Sequence, residues 1–211
     1  MRRPFLLLTS VALAVLLACT MAALAAKQSV GQTATVTLVG AGDIASCNYT
    51  TDSAMARLLG TIPGTVFTLG DNAYPDGTAW QFRNCYKPTW GQYKLRTRPT
   101  AGNHDYHTTG ARPYFDYFKA VNGFKEPRAP VPNSADNPGL TFGKGYYSYD
   151  RGAWHIVALN SNCEYVGGCD GGSAQVRWLA NDLRRNWTVC TLAYWHHPLF
   201  SSGENTAAPP R

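Results

Sequence analysis

At 211 residues, 45% of them hydrophobic, the chain suits one domain with a full apolar core. Its formal charge of +6 falls to +4 without Arg2 and Arg3, a mild bias toward anionic substrates. No basic cluster suggests a nucleic-acid partner.

Arg2 and Arg3 precede an apolar run over residues 5–26 that ends in Ala23-Leu24-Ala25. A basic start, an apolar middle and a small-residue cleavage site predict a secretory signal peptide over residues 1–25. A transmembrane anchor is the alternative. Leu16-Leu17-Ala18-Cys19 also resembles a lipoprotein box, which would tie the protein to a membrane through Cys19. Cleavage after residue 25 of 211 leaves 186 residues as one domain, 26–211.

Alternating, β-branched residues predict a strand over 33–41. Asp52 then starts a short helix carrying Ala54, Met55, Leu58 and Leu59, with Gly60 as its stop. Residues 65–69 form the next strand and 79–86 a helix. A weaker strand spans 96–100, interrupted by Pro99. An aromatic-rich helix covers 113–121, and the proline-rich stretch 126–139 is a surface loop. Residues 146–149 and 154–159 form a hairpin around Asp150-Arg151-Gly152. Ser173 caps a helix with Val176, Leu179, Ala180 and Leu183 on one face, and 188–195 is the last strand. Helices between strands imply crossovers and a largely parallel sheet, with the hairpin adding antiparallel strands.

Six cysteines become five when Cys19 leaves with the signal. In an exported protein, Cys163 and Cys169 together with Cys47 and Cys85 read as two disulfides, with Cys190 left over. Asn48-Tyr49-Thr50 and Asn186-Trp187-Thr188 are glycosylation sequons.

Four apolar runs end on residues that bind hard metal ions. They lead into Gly42-Asp43, into Gly70-Asp71-Asn72-Ala73-Tyr74, into Gly102-Asn103-His104-Asp105 and into His196-His197-Pro198. In an open α/β sheet, ligands sit beyond the carboxyl ends of the strands. Delivered to one rim, these residues would make an oxygen-and-nitrogen cage for a metal pair, whose chemistry is hydrolysis with an activated water. A carboxylate at Asp71 can bridge two cations, and a tyrosine three residues on can add a phenolate. Gly70 lets the backbone approach closely. His104 diverges from its neighbour Asn103 and is better placed to face substrate, with Asp105 orienting its imidazole through the second nitrogen. His107 could touch substrate. His155, inside a strand, is structural.

These blocks resemble the calcineurin-like metallophosphoesterases, and within them the purple acid phosphatases. The resemblance spans Gly42 to His196. Ala45 stands where many relatives have a histidine, and Tyr74 is present, which favours the purple acid phosphatase side. The fold it implies is α/β, a metallophosphoesterase-type β-sandwich of mixed sheets flanked by helices. By the resemblance, Asp43 and Tyr74 bind the first metal, Asp71 bridges, and Asn103 and His196 bind the second. His104 stabilises the transition state or protonates the leaving oxygen, and His197 lies outside the ligand set. The first metal would be Fe(III) and the second Fe, Zn or Mn.

The family's fifth block, Gly-His-x-His, would add one imidazole to each metal. No histidine follows His197. The expectation is a chain incomplete at its C-terminus, with each metal one ligand short and strands of the second sheet missing. The expected activity is an exported two-metal phosphoesterase acting on a small phosphate ester. The alternatives are a truncated non-catalytic relative that binds metal or phosphate, and a phosphodiesterase or nucleotidase on the same scaffold.

Overall fold

A computed structural model describes residues 35–119, 144–188 and 190–200. The signal segment, Cys19, the proline-rich stretch 126–139 and the end of the chain from residue 201 lie outside the described residues. The elements below all fall in one unit that begins at Val36.

The fold is mixed α/β with two three-stranded sheets. In the first, β1 (Leu38–Ala41), β2 (Thr65–Thr68) and β3 (Thr97–Arg98) lie side by side and parallel. β3 is two residues long because Pro99 has no amide to give to the ladder. Pairing resumes beyond it, where Thr100 N donates to the Thr68 carbonyl at 3.1 Å. In the second sheet, β4 (Tyr147–Arg151) and β5 (Trp154–Ala158) form the expected hairpin, and β6 (Cys190–Tyr194) runs parallel to β5. The hairpin turn sits at Gly152-Ala153, with Gly152 at φ +57°.

Successive side chains of a strand face opposite ways, and β2 uses both faces. Val66 belongs to a core shared with Phe82, Tyr86, Tyr114 and Phe118. Phe67 and Leu69 pack instead with Tyr147, Ile156 and Tyr194 of the second sheet. Phenol groups lock that contact: Tyr147 donates to the Pro99 carbonyl at 2.9 Å and Tyr194 to the Arg98 carbonyl at 3.0 Å.

The helices differ from the sequence expectation in instructive ways. α1 (Thr51–Thr61) runs past Gly60 and buries Asp52, Ala56 and Leu59, while Met55 and Leu58 are exposed. Gly60 is a packing residue, because a Cβ there would stand 2.8 Å from the Tyr93 hydroxyl. That hydroxyl bonds the Ala56 carbonyl, and Pro63 is what the helix cannot pass. α2 (Ala79–Gln81) starts on a Thr78 capping box and continues as a π-turn over Phe82–Tyr86. α3 covers Arg112–Phe118 and α4 Cys163–Val166.

α5 (Ala174–Arg185) is capped by Ser173, as expected. Of the expected apolar face, Val176 and Leu179 are half-buried, while Ala180 and Leu183 are exposed. Contact runs through Gln175, Trp178 and Asp182, which share one helix face at i, i+3 and i+7. Gln175 bonds both backbone groups of Asn160, Trp178 packs on Tyr146, and Asp182 meets Ser148 and His155.

Both disulfides form, Cys47–Cys85 and Cys163–Cys169, and Cys190 is free. They are consistent with an oxidising, extracellular location. Among the described residues no helix is long and apolar enough to cross a membrane.

Candidate metal centre

Asp43, Asp71 and Asn103 lie just past the carboxyl ends of the parallel strands, and His196 lies two residues past β6. The first two turns are zipped together. Asp43 N, Ile44 N and Ala45 N donate to the carbonyls of Gly70, Asp71 and Asn72, and Tyr74 N returns to the Ala45 carbonyl at 2.7 Å. Asp43 and Asp71 both sit in the left-handed region, at φ +55° and +51°. That region costs most residues free energy and is tolerated best by Gly, Asn and Asp. The flanking ladders hold both acidic residues in that conformation.

Close approach of the turns demands glycine. A Cβ on Gly102 would stand 2.1 Å from Asp71 Oδ1, and one on Gly70 would stand 2.6 Å from His196 Nδ1.

The side chains then converge. The Tyr74 hydroxyl lies 2.5 Å from Asp43 Oδ1 and 2.8 Å from Asp71 Oδ2. One phenol proton cannot serve two carboxylates at once. Burial, followed by these two carboxylates, pushes the phenol far above its usual range. His196 Nδ1 faces the Leu69 carbonyl at 2.6 Å, which places the imidazole proton there. Its Nε2 lies 2.9 Å from Asn103 Oδ1, and Asp71 Oδ1 stands 3.5 Å from the same nitrogen. Phenol, carboxylates, carboxamide oxygen and imidazole thus form two clusters that share Asp71. Oxygen and imidazole donors of this kind would fit a metal pair of the hard-to-borderline kind, with the Tyr74 proton given up when the metal binds. Among the described residues no group of three or more His, Cys, Asp or Glu is placed to hold a metal ion. The candidate set depends on Tyr74 and Asn103 as well.

His104 touches the shared Asp71 carboxylate from one side. Its backbone N–H donates to Asp71 Oδ1 at 2.9 Å, its Nδ1 faces the Pro75 carbonyl at 2.5 Å, and its Nε2 lies 3.9 Å from Asp71 Oδ2. The ring is part-exposed, between those of Tyr74 and His107, each 4.6 Å away. Here the expectation for Asp105 is corrected. Its carboxylate does not orient the His104 ring. It is fully buried and accepts from Gly102 N and from both the backbone and side-chain nitrogens of Asn72. Burial is the main reason that its acid is pushed up to about 6. Asp105 therefore clamps the turn of Asp71 to the turn of Asn103, and the Pro75 carbonyl does the orienting.

His107 pairs with Asp76 at 3.0 Å on the surface beside His104. His155 is structural, as expected. His197 bonds Ser161 through Nδ1, and burial followed by the neighbouring His196 lowers its proton affinity.

A supporting layer escaped the sequence reading. Asn72 is fully buried and ties the Thr100 carbonyl to Asp105. Asn162 reaches the Ala101 carbonyl, and Asn160 holds Asn162 through its Oδ1. Asn160-Ser161-Asn162 follows an apolar strand, the same signal that marked the four candidate ligand turns. No protein-family model and no curated protein matches the chain.

Proposed function

We propose that the protein is an exported two-metal phosphoesterase of the purple acid phosphatase type, on a metallophosphoesterase-like β-sandwich. The observation that carries this reading is the pair of oxygen-and-nitrogen donor clusters joined at Asp71. Asp43, Asp71 and Tyr74 would hold the first metal, and Asp71, Asn103 and His196 the second. A tyrosinate donor suits Fe(III), and the second position suits Fe, Zn or Mn. When bound, such a pair activates water and neutralises charge on the phosphoryl oxygens.

The chain's own residues complete the reaction. Hydrogen bonding to Pro75 keeps a proton on His104 Nδ1 and aims Nε2 into the site. Protonated there, His104 gives the Nε2 proton to the leaving oxygen as its bond to phosphorus breaks and water attacks in line. The products are inorganic phosphate and a neutral alcohol.

The test is metal content, visible absorbance and turnover of a monoester and a diester by the full-length protein and by Asp71→Asn. The expected result is two metals, a purple colour and monoester hydrolysis in the wild type. In Asp71→Asn, turnover should fall further than the roughly 10–100-fold that loss of an outer hydrogen-bond partner costs. A variant that kept both metals and near-normal turnover would remove Asp71 from the bridging position.

A further inference from the structure

A cleft of about 340 Å³ opens beside Asp43 and Tyr74. Its other wall is the segment after the first ligand turn and includes Ser46, Asn48, Tyr49 and Thr51. Two features make this wall a built surface. The Ala45–Ala73 bridge ties its root to the second ligand turn, and the disulfide from Cys47 to the buried Cys85 pins its middle. Tyr49, two residues beyond that pin, is 71% exposed and lines the cleft. Among the described residues, no lysine, arginine or histidine lines the cleft, and Asp43 and Tyr74 are its only ionisable groups besides Tyr49.

Resting on the phosphoesterase reading, we infer that this cleft receives the leaving group and selects phosphate esters of uncharged aromatic alcohols, with Tyr49 as the stacking residue. A second anionic group on the substrate would find no basic side chain in the cleft to pair with. An aromatic ring finds a flat, pre-positioned partner in Tyr49. Ser46, Asn48 and Thr51 can bond hydroxyl substituents on that ring. The bond broken is still the ester P–O bond, with the proton going to the leaving oxygen, so the cleft alters choice of substrate and not chemistry.

The test uses full-length, metal-loaded protein from a host that does not glycosylate Asn48. Phenylphosphonate and methylphosphonate are titrated calorimetrically into wild type, Tyr49→Ala and Tyr49→Phe, and rates are measured on phenyl, 4-carboxyphenyl and methyl phosphate. Tyr49→Ala should weaken phenylphosphonate, and raise KM for phenyl phosphate, by roughly 5-fold. Methyl compounds should be unaffected, Tyr49→Phe should behave as wild type, and the carboxylated ring should be the poorer aryl substrate. Equal effects of Tyr49→Ala on phenyl and methyl compounds, or no effect on either, would overturn the inference while leaving the phosphoesterase reading intact. A wild type that binds neither phosphonate and hydrolyses no ester would overturn both.

Discussion

His104 and Asp105 are neighbours with opposite tasks, and their contacts separate the two. His104→Ala should lower kcat by roughly 10²–10⁴-fold with metal content unchanged. The loss should shrink for esters whose alcohols leave well without a proton, so alkyl and aryl substrates read the leaving-group role directly. Asp105→Ala should act elsewhere. It strips the acceptor from three buried donors on Gly102 and Asn72. Leaving such groups unpaired costs about 1–3 kcal/mol each at most, and the whole change should appear first as a lower Tm. If Asp105→Ala instead matched His104→Ala in kcat at unchanged Tm, the carboxylate would be acting on the imidazole after all.

At the scale of elements, α5 is fastened to the second sheet by a buried imidazole. His155 Nδ1 lies 2.8 Å from Asp150 and Nε2 2.7 Å from Asp182, with the ring only 2% exposed. Burial disfavours its charge, but the hydrogen bonds and charges of Asp150 and Asp182 outweigh that, and the net shift is upward. A raised folded value means that this stabilisation is complete below the unfolded histidine range near 6.5 and is lost as pH rises through the folded value. His155→Phe should therefore cost about 2 kcal/mol at pH 6 and clearly less at pH 9. Thermal unfolding of both proteins at the two pH values checks this. A cost that grew with pH would mean that the imidazole is held neutral.

For the molecule as a whole, the two disulfides close loops of different length. Cys47–Cys85 spans 38 residues and Cys163–Cys169 spans 6. Chain entropy alone gives roughly 4 kcal/mol for the longer and roughly 2 for the shorter at 25 °C. Replacing Cys47 and Cys85 by serine should lower Tm more than replacing Cys163 and Cys169. The longer bridge also pins the wall of the cleft beside Asp43, so its loss should weaken phenylphosphonate binding as well as stability. A larger Tm loss from the shorter bridge would show that native contacts, not loop length, dominate.

The sequence by itself determined where the strands stop and which turns carry the candidate ligands. Apolar strands that stop on Gly-Asp, Gly-Asp-x-x-Tyr and Gly-Asn-His announce themselves locally, because strand, glycine and polar residue are consecutive. The mixed α/β class, the hairpin before residue 160 and the Ser173 cap were legible for the same reason. Only the tertiary structure decided how the turns are joined. Asp105 reaches Asn72 across 33 residues, and His104 finds the Pro75 carbonyl across 29. Partners so far apart leave no period or spacing to read. Helix faces were legible only in part: apolar spacing pointed to Val176, Leu179, Ala180 and Leu183 on α5, of which the last two are exposed, and the polar anchors Gln175 and Asp182 have partners, Asn160 and His155, that the second sheet brings there. Local patterning fixes where a strand ends. Which polar groups lie buried together depends on the packing of elements distant in the chain.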